Sequence, residues 1–274
     1  MCSVMNVSRS GYYKWVHRKP SEQEKRRKKL MKRIQHHFYA FKKRYGSHKI
    51  AEKLRQEGES VSTKTVSRLM KEMGLRSVTV KKYKATTNSK HNQPVYENVL
   101  NRQFKPDAPN KVWVADITYI ATRQGWVYLA SLMDLYSRKI VGWALGERMT
   151  KELVLEAFDK ACMRQKPPKG LIHHSDRGSQ YASTEYRARL ESNQMIGSMS
   201  RKGNCYDNAC IESFHSVLKK ELIYQTKFNT RKQAYDAIYE YIELEYNRIR
   251  IHSSIGYLTP YLYEKRYYEQ LQAG

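Results

Sequence analysis

The chain contains 274 residues, and its 51 Lys and Arg against 26 Asp and Glu give a formal net charge of +25. This excess favours a polyanionic partner, and 22 tyrosines argue against a merely disordered basic tail, although a histone-like or ribosomal binder stays open at this point. The scattered cysteines form no Cys-x2-Cys pair, so we expect no zinc site; they are Cys2, Cys162, Cys205 and Cys210. No membrane-length apolar run or signal peptide is visible, so we expect a cytoplasmic protein.

The first 76 residues predict a small helical module. Residues 1–20 form an N-terminal extension, and residues 21–76 begin with a basic helix whose apolar stripe consists of Leu30, Ile34, Phe38 and Phe41. A short helix closed by Gly58 is followed by Ser62, a suitable N-cap, and by a second helix that ends at Gly74. Two short helices joined by a turn are typical of a helix-turn-helix, although many small helical bundles share this pattern.

The second of these short helices is the candidate DNA reader. Near its amino end it would present Thr63, Lys64, Ser67 and Arg68. We expect Lys64 and Arg68 to bind DNA, because the amino end of a recognition helix meets base edges and phosphates. The alternative is that these side chains are simply solvated charges.

The middle of the chain predicts an α/β domain. After a linker at 77–110, which is rich in Lys, Asn, Thr and Pro, we place this domain at 111–225. Strands at 111–121, 125–134 and 139–145, joined by short turns, form an antiparallel meander. The elements that follow are a helix at 150–164, a strand at 171–176, a helix at 183–191, a strand at 195–199 and a helix at 207–221. This order is that of a ribonuclease H-like fold, with a mixed five-stranded sheet and flanking helices.

The remaining residues, 226–274, form a C-terminal helical and basic tail. A helix is predicted at 230–246. The segment at 247–260 is polar, basic and rich in turn residues, so we expect it on the surface beside the core.

Three acidic residues stand out in the α/β domain. Asp116 lies in an apolar strand, Asp176 ends another apolar run, and Glu212 lies on the border of a helical apolar stripe of Ile211, Phe214, Leu218 and Leu222. A protein that only binds phosphates gains nothing from an Asp within an apolar strand, which argues against the histone-like alternative. Clustered carboxylates are what hard divalent metals such as Mg²⁺ or Mn²⁺ require.

Other polar residues near these positions have structural explanations. Asp134 is expected to form a turn, and Asp207 to cap the helix that carries Glu212. His173 and His174 are expected to pack at a strand end or to contact phosphate. The basic residues expected to surround the acidic cluster and hold DNA phosphates are Arg177, Lys202, Lys219 and Lys220.

Four motifs carry a resemblance to a known family. They are Asp116-Ile-Thr-Tyr, Asp134-Leu-Tyr-Ser-Arg-Lys-Ile-Val-Gly-Trp143, His174-Ser-Asp-Arg-Gly-Ser-Gln-Tyr181 and Ser198-Met-Ser-Arg-Lys-Gly-Asn-Cys-Tyr-Asp-Asn-Ala209. They resemble the second-frame transposases of the IS3 insertion-sequence family and the catalytic cores of retroviral integrases. The 35 residues between Asp176 and Glu212 match the spacing of the family's DD(35)E triad. The tail from Arg250 to Pro260 resembles the family's Arg-x-His-Ser-x-Leu-Gly-Tyr ending, with Ile255 in place of Leu.

The resemblance implies a DNA transposase that binds terminal inverted repeats and catalyses strand cleavage and strand transfer. Asp116, Asp176 and Glu212 would hold two Mg²⁺ ions, with Mn²⁺ as a substitute, and Lys219 would contact terminal DNA. The tail residues Arg250 and His252 are further expected DNA contacts. The family also implies a dimer or larger homo-oligomer, target DNA as a second substrate, and an upstream-frame DNA-binding protein as a partner.

Three alternatives stay open from the sequence. A recombinase could use Tyr119 or Tyr181 as a nucleophile, although such an enzyme should surround the tyrosine with Arg and His. A stand-alone nuclease of the same fold would cleave DNA without joining ends. A non-catalytic regulator would use only the N-terminal helices.

Overall fold

The computed structural model describes residues 2, 4–78, 94–201 and 204–273 and divides the chain into two units, Met1–Val78 and Thr79–Gly274. The predicted DNA contact Lys202 lies outside the described residues. Within the described ranges, no helix combines the length and the apolar character that crossing a membrane requires.

The first unit consists of short helices. They are α1 (Arg9–Val16), α2 (Glu22–Ala40), α3 (Ser47–Gln56) and α4 (Thr63–Glu72). A reciprocal pair of hydrogen bonds between Ser21 and Glu24 caps the start of α2. The helix ends at Ala40, earlier than the apolar stripe suggested, and Lys42 and Lys43 then adopt left-handed backbone angles, φ 50° and 61°.

The core of the first unit lies between α2, α3 and α4. The apolar residues buried there are Leu30, Ile34, Phe38, Ile50, Leu54, Val66, Leu69 and Met70. The predicted cap is confirmed, because Ser62 Oγ accepts a hydrogen bond of 3.1 Å from the Thr65 backbone N–H. With the apolar side of α4 buried, Lys64, Ser67 and Arg68 are exposed, as the helix-turn-helix prediction requires.

The second unit is built on a mixed five-stranded sheet. Its strands are β1 (Val112–Thr122), β2 (Gly125–Asp134), β3 (Ile140–Gly146), β4 (Ile172–Ser175) and β5 (Ile196–Met199). Their spatial order is β3-β2-β1-β4-β5. The first three strands pair antiparallel, and β4 pairs parallel with both β1 and β5. The predicted ribonuclease H-like sheet is therefore confirmed.

Helices cover both faces of this sheet. They are α5 (Lys151–Gln165), α6 (Ser179–Ala182), α7 (Thr184–Ser192), α8 (Ala209–Glu221), α9 (Arg231–Glu240) and α10 (Pro260–Ala273). Along β1, Val112 and Val114 pack against α8 and α9, whereas Trp113 and Ala115 pack against α5 and α7. Helix α5 lies so close to β3 that a Cβ at Gly142 would stand 2.3 Å from the Ala157 carbonyl oxygen.

The predicted linker and tail belong largely to the second unit. Of residues 77–110, Leu100 is buried in the same apolar cluster as Val112 and Val114. Helix α9 continues into a π-helix at Tyr241–Ile249, a rare form in proteins. The residues that this continuous helix buries in that cluster are Ala234, Ile238, Tyr241, Ile242 and Tyr246. Described residues on both sides of position 225 therefore share one apolar cluster.

The expected surface position of residues 247–260 is only partly correct, because the segment contains buried as well as exposed residues. Asn247, Ile251, Ile255 and Thr259 are buried. The side chain of Asn247 accepts a hydrogen bond from the Ile140 N–H and donates one to the Ile140 carbonyl, each of 3.0 Å. These bonds satisfy backbone groups beside the irregularity in the β2–β3 pairing, so the segment holds the sheet rather than lying over it.

Candidate active site

The parallel pairing of β1 with β4 brings two of the predicted carboxylates together. Ala115 lies opposite Ser175 in this register, so the residues that follow them, Asp116 and Asp176, emerge side by side where the ladder ends. Both residues are partly buried. Because parallel strands run in the same direction, the residues that follow two paired positions lie at the same end of the sheet.

Helix α8 adds the third carboxylate. Its residues Ile211, Phe214 and Leu218 are buried against the sheet, and the side chain of Asn208 donates a hydrogen bond of 3.0 Å to the carbonyl of Ala115. That bond fixes the start of α8 beside the end of β1. Glu212 therefore lies in the first turn of α8, and it is the most exposed of the three acidic residues.

The three carboxylates interact electrostatically. Burial raises the pKa of Asp176 to about 7, and the negative charges of Asp116 and Glu212 add to this effect. The backbone N–H of Gly178, which donates to Asp176 Oδ1 over 2.9 Å, acts in the opposite direction. Partial desolvation and the charge of Asp116 also raise the pKa of Glu212. The site therefore carries negative charge that the surrounding protein leaves only partly compensated.

Close packing supports the Asp176 side chain. A Cβ at Gly178 would stand 3.0 Å from Asp176 Oδ1, so glycine allows the chain to turn tightly beneath the carboxylate. Among the residues that the structure describes, no three His, Cys, Asp or Glu side chains lie close enough together to surround a metal ion. The three acidic residues are thus neighbours whose side chains have not converged on one point.

His215 is a site residue that the sequence reasoning missed. Its Nδ1 lies 3.2 Å from Asp116 Oδ2, and its Nε2 lies 2.7 Å from Ser131 Oγ. Ser131 is also the residue opposite Asp116 in the β1–β2 pairing. His215 and Ser131 are buried, so the Asp116 carboxylate is held from one side by a fixed chain of polar groups. The sequence signal that could have pointed to His215 is its spacing, because it follows Glu212 by one helical turn.

Lys219 lies beside the acidic cluster, two turns beyond Glu212 on α8. Its ammonium stands 4.7 Å from the centre of the Tyr119 ring, and it is attracted by the charge of Asp116. Burial nevertheless lowers the pKa of Lys219 below its ordinary value. Lys220, the next residue, is half-buried.

Arg177 and Asp207 each form hydrogen bonds with described residues between β5 and α8. Arg177 Nε donates a hydrogen bond of 2.7 Å to the Ser200 carbonyl. The predicted helix-capping role of Asp207 was wrong, because Asn208 occupies the N-cap position of α8. Asp207 is instead fully buried and accepts hydrogen bonds from Arg201, Arg102 and Asn98. These donors keep the pKa of Asp207 far below its ordinary value.

The two histidines before Asp176 are packing residues. The Tyr186 hydroxyl lies 2.9 Å from His173 Nε2, and His174 lies between Ser198 Oγ and Ser200 Oγ, at 2.8 and 3.1 Å. Burial lowers the pKa of His173 to about 3 and that of His174 to about 4. Both are neutral at physiological pH, so they add no positive charge to the site.

The turn prediction for Asp134 is confirmed. Its Oδ1 accepts hydrogen bonds from the backbone N–H and the hydroxyl of Ser137, at 2.8 and 2.7 Å. Its Oδ2 accepts one from the Asn110 N–H, at 2.8 Å. The Asp134 carboxylate thus holds the β2–β3 turn at Ser137 and also the residue Asn110, which lies just before β1.

Arg250 has a structural partner. Its side chain is 13% exposed and lies 3.1 Å from the carboxylate of Glu221, which is 8% exposed. The Glu221 carboxylate also accepts a hydrogen bond of 2.8 Å from the Tyr241 hydroxyl. His252 lies against Arg250 and packs edge-on against Tyr246. These contacts give Arg250 and His252 roles within the fold, and the DNA contacts predicted for both residues stay predictions.

Comparison with known proteins matches both parts of the chain to known families. Family models of an HTH-like domain match residues 25–83, and two integrase core domain models match residues 106–205 and 194–260. The chain is 48% identical, over 98% of its length and 99% of the other, to the insertion element IS600 uncharacterized 31 kDa protein of Shigella sonnei. It is 40% identical to transposase InsF for insertion sequence IS3A of Escherichia coli strain K12, over 97% of this chain and 93% of that protein. The chain belongs to the IS3 family of insertion-sequence transposases.

The fold of this transposase is shared with a retroviral assembly. The chain superposes on a chain of the simian T-cell lymphotropic virus intasome, solved in complex with PP2A regulatory subunit B56 gamma, with a TM-score of 0.50 and 15% identity. The superposition covers 84% of this chain and 73% of that one. The family and the fold predicted from the sequence motifs are thereby confirmed, and the chain is a DDE-type transposase and integrase relative.

A tyrosine nucleophile does not suit the transposase. Tyr181 is only 2% exposed, and burial together with neighbouring Tyr186, Asp116 and Asp176 raises its pKa well above the ordinary value. A phenol so disfavoured as phenolate is a poor nucleophile. The ring of Tyr119 instead packs against the Lys219 ammonium and the Trp126 ring.

Proposed function

We propose that this transposase cleaves and rejoins DNA at the terminal inverted repeats of its insertion sequence, using Asp116, Asp176 and Glu212. The observation that supports this proposal is that three carboxylates, from the end of β1, the end of β4 and the first turn of α8, lie near enough for their charges to interact. The repulsion between these carboxylates lowers the stability of the fold. Such an unfavourable arrangement of charges is typical of functional sites rather than of structural cores. DNA in the bacterial cytoplasm is the substrate.

Divalent metal ions fit this donor set. Carboxylate oxygens suit Mg²⁺, with Mn²⁺ as a substitute. The pKa values of Asp176 and Glu212 are raised by burial first and by the neighbouring negative charges second, and bound cations would offset both effects. Asp116, Asp176 and Glu212 would hold two ions. When bound, the ions activate the attacking oxygen and stabilise the departing one. The exposed Glu212 side chain is the one free to turn towards its two neighbours.

The protein's own groups position the carboxylates and the DNA. His215 and the Ile117 N–H orient Asp116, while the Gly178 N–H orients Asp176. Lys219, Lys220 and Arg177 would hold DNA phosphates near the cluster, and Lys219 offsets part of its repulsion before DNA binds. Because the two ends of an element are processed together, we further propose a dimer or larger assembly that acts with an upstream-frame partner.

A strand-transfer assay with labelled terminal ends and a target plasmid tests this proposal. Products longer than the labelled input are expected in the presence of Mg²⁺. Only shortened products would favour a nuclease of the same fold, and unchanged DNA would favour a non-catalytic regulator.

Replacing His215 with alanine should slow strand cleavage about 10- to 100-fold, because the Asp116 carboxylate loses the group that orients it. Cleavage rates at saturating Mg²⁺ and DNA measure this effect, and DNA affinity should stay unchanged. Ser131 bonds to His215 rather than to Asp116, so Ser131→Ala should slow strand cleavage less. A His215→Ala variant that cleaves at the wild-type rate would remove His215 from the site.

Replacing Lys64 and Arg68 with alanine should weaken DNA binding by the full chain at every sequence tested. Each residue removed from a phosphate should reduce the slope of log affinity against log salt concentration by about 1. Lys28→Ala, at an exposed basic position of α2, is the matched control. Equal losses in the control would mean that general charge, rather than α4, carries the binding.

A further inference from the structure

A groove beside the acidic cluster is lined, apart from Lys219, by residues that have no role in the cleavage and joining chemistry proposed above. It has a volume of about 690 Å³ and lies between the β1–β2 hairpin and the segment that joins α8 to α9. This volume falls within the range of about 300–1,000 Å³ that is typical of ligand sites. The aromatic and basic residues that line it are Tyr119, Trp126, Tyr224, Phe228, Arg123, Lys219 and Lys227.

The two walls of the groove are fixed to each other. The Arg123 backbone N–H donates a hydrogen bond of 3.0 Å to the Phe228 carbonyl, and the Arg231 N–H donates one of 2.9 Å to the Gln124 side chain. Phe228 is buried in the core below. The Trp126 ring packs edge-on against Tyr119, with 5.1 Å between ring centres. The groove is therefore formed before any ligand arrives.

The chemistry of the lining suits a nucleotide. Trp126 is 50% exposed and Tyr224 is 49% exposed, so each presents aromatic surface to the groove or its rim. No acidic residue is among those of the described chain that line it. Aromatic faces next to positive charges are the combination on which bases stack while phosphates are held. A paired base hides its faces within the duplex, so the aromatic surface favours an unpaired base.

Lys219 connects this groove to the acidic cluster. It lines the groove, and its ammonium is attracted by the carboxylate of Asp116. A DNA strand with a phosphate at the cluster would therefore bring a neighbouring nucleotide to the groove. We propose that the groove holds an unpaired nucleobase of the DNA end being processed, stacked on Trp126 or Tyr224. In this proposal, which rests on the proposed transposase function, Arg123 and Lys227 hold the adjoining phosphates.

Photocrosslinking of the full chain tests the groove directly. The probe is a duplex of the terminal end with a short single-stranded extension that carries 5-iodouracil, and the control probe places the same base in the paired region. The reaction contains EDTA, so a failure of metal-dependent chemistry leaves the result unaffected. Adducts on Trp126 or Tyr224 are expected from the extended probe only. Adducts confined to other residues, or equal adducts from the paired probe, would overturn the proposal.

Affinity measurements on variants complete the test. Of Trp126→Ala and Tyr224→Ala, the variant that removes the stacking ring should weaken binding of the extended duplex about 5- to 150-fold, the effect of one lost stacking contact, and leave binding of a blunt duplex unchanged. Trp126→Phe should retain most of the affinity. Tyr239→Ala, at a position 48% exposed on α9, is the matched control and should change neither value. Equal losses of affinity for both duplexes would contradict the proposed role of the groove and leave the proposed strand-transfer function unaffected.

Discussion

Replacing Asp176 with asparagine is expected to reduce strand cleavage and strand transfer by about a thousandfold or more. Asparagine keeps the shape of the side chain but removes a charged oxygen that a divalent metal requires. Metal stabilisation of the reacting oxygens contributes several kcal/mol, and each 1.4 kcal/mol or so corresponds to a factor of ten in rate. The measurement is the rate of product formation from labelled terminal ends at saturating Mg²⁺.

The stability of this variant separates lost chemistry from lost folding. Burial and neighbouring charges raise the pKa of Asp176 to about 7, so the charged carboxylate is unfavourable in the folded protein without metal. Asp176→Asn removes this repulsion and should unfold at the same or a higher temperature than the wild type in EDTA. Asp159→Asn, at a half-buried position that forms an ion pair of 3.4 Å with Arg189, is the control and should change neither rate nor stability. Wild-type activity in Asp176→Asn would contradict the proposed site.

Replacing Arg250 with alanine should destabilise the second unit by about 3–5 kcal/mol. The substitution leaves the Glu221 carboxylate buried without its cationic partner, and breaking a buried ion pair from one side carries a cost of this size. Urea unfolding measures the effect. Removing both charges with Arg250→Met and Glu221→Gln should recover much of the loss, because no unpaired charge remains in the interior.

The same variant decides between two roles for Arg250. Arg248→Ala, an exposed residue whose guanidinium lies 5.2 Å from the centre of the Tyr261 ring, is the matched control and should cost less than about 1 kcal/mol. If Arg250→Ala keeps its stability but loses DNA affinity, the DNA contact predicted from the sequence is correct and the structural role is wrong.

The strands and helices of the core could be predicted because apolar side chains occupy their buried positions. Apolar runs located β1 to within one residue, and the helical stripe of Ile211, Phe214 and Leu218 located α8. The acidic residues were visible because a carboxylate within an apolar strand is rare. The motifs then identified the family, and the match to one relative covers 98% of the chain.

The missed features depend on contacts between distant parts of the chain. His215 orients Asp116 only because α8 packs over β1, and no local pattern distinguishes it from a packing histidine. The segment after Tyr246 looked like a surface loop because its residues are polar. Their hydrogen bonds instead satisfy the β3 backbone and the Glu221 carboxylate, and those partners lie 107 and 29 residues away in sequence.

Anomalous diffraction from crystals of the wild-type chain with Mn²⁺ tests the central claim most directly. The proposal predicts Mn²⁺ peaks bound by Asp116, Asp176 and Glu212, with the Glu212 side chain turned towards the other two. Crystals of Asp176→Asn grown in the same way should lose at least one of these peaks. Mn²⁺ bound elsewhere, or wild-type crystals with no ion among the three carboxylates at saturating Mn²⁺, would contradict the account.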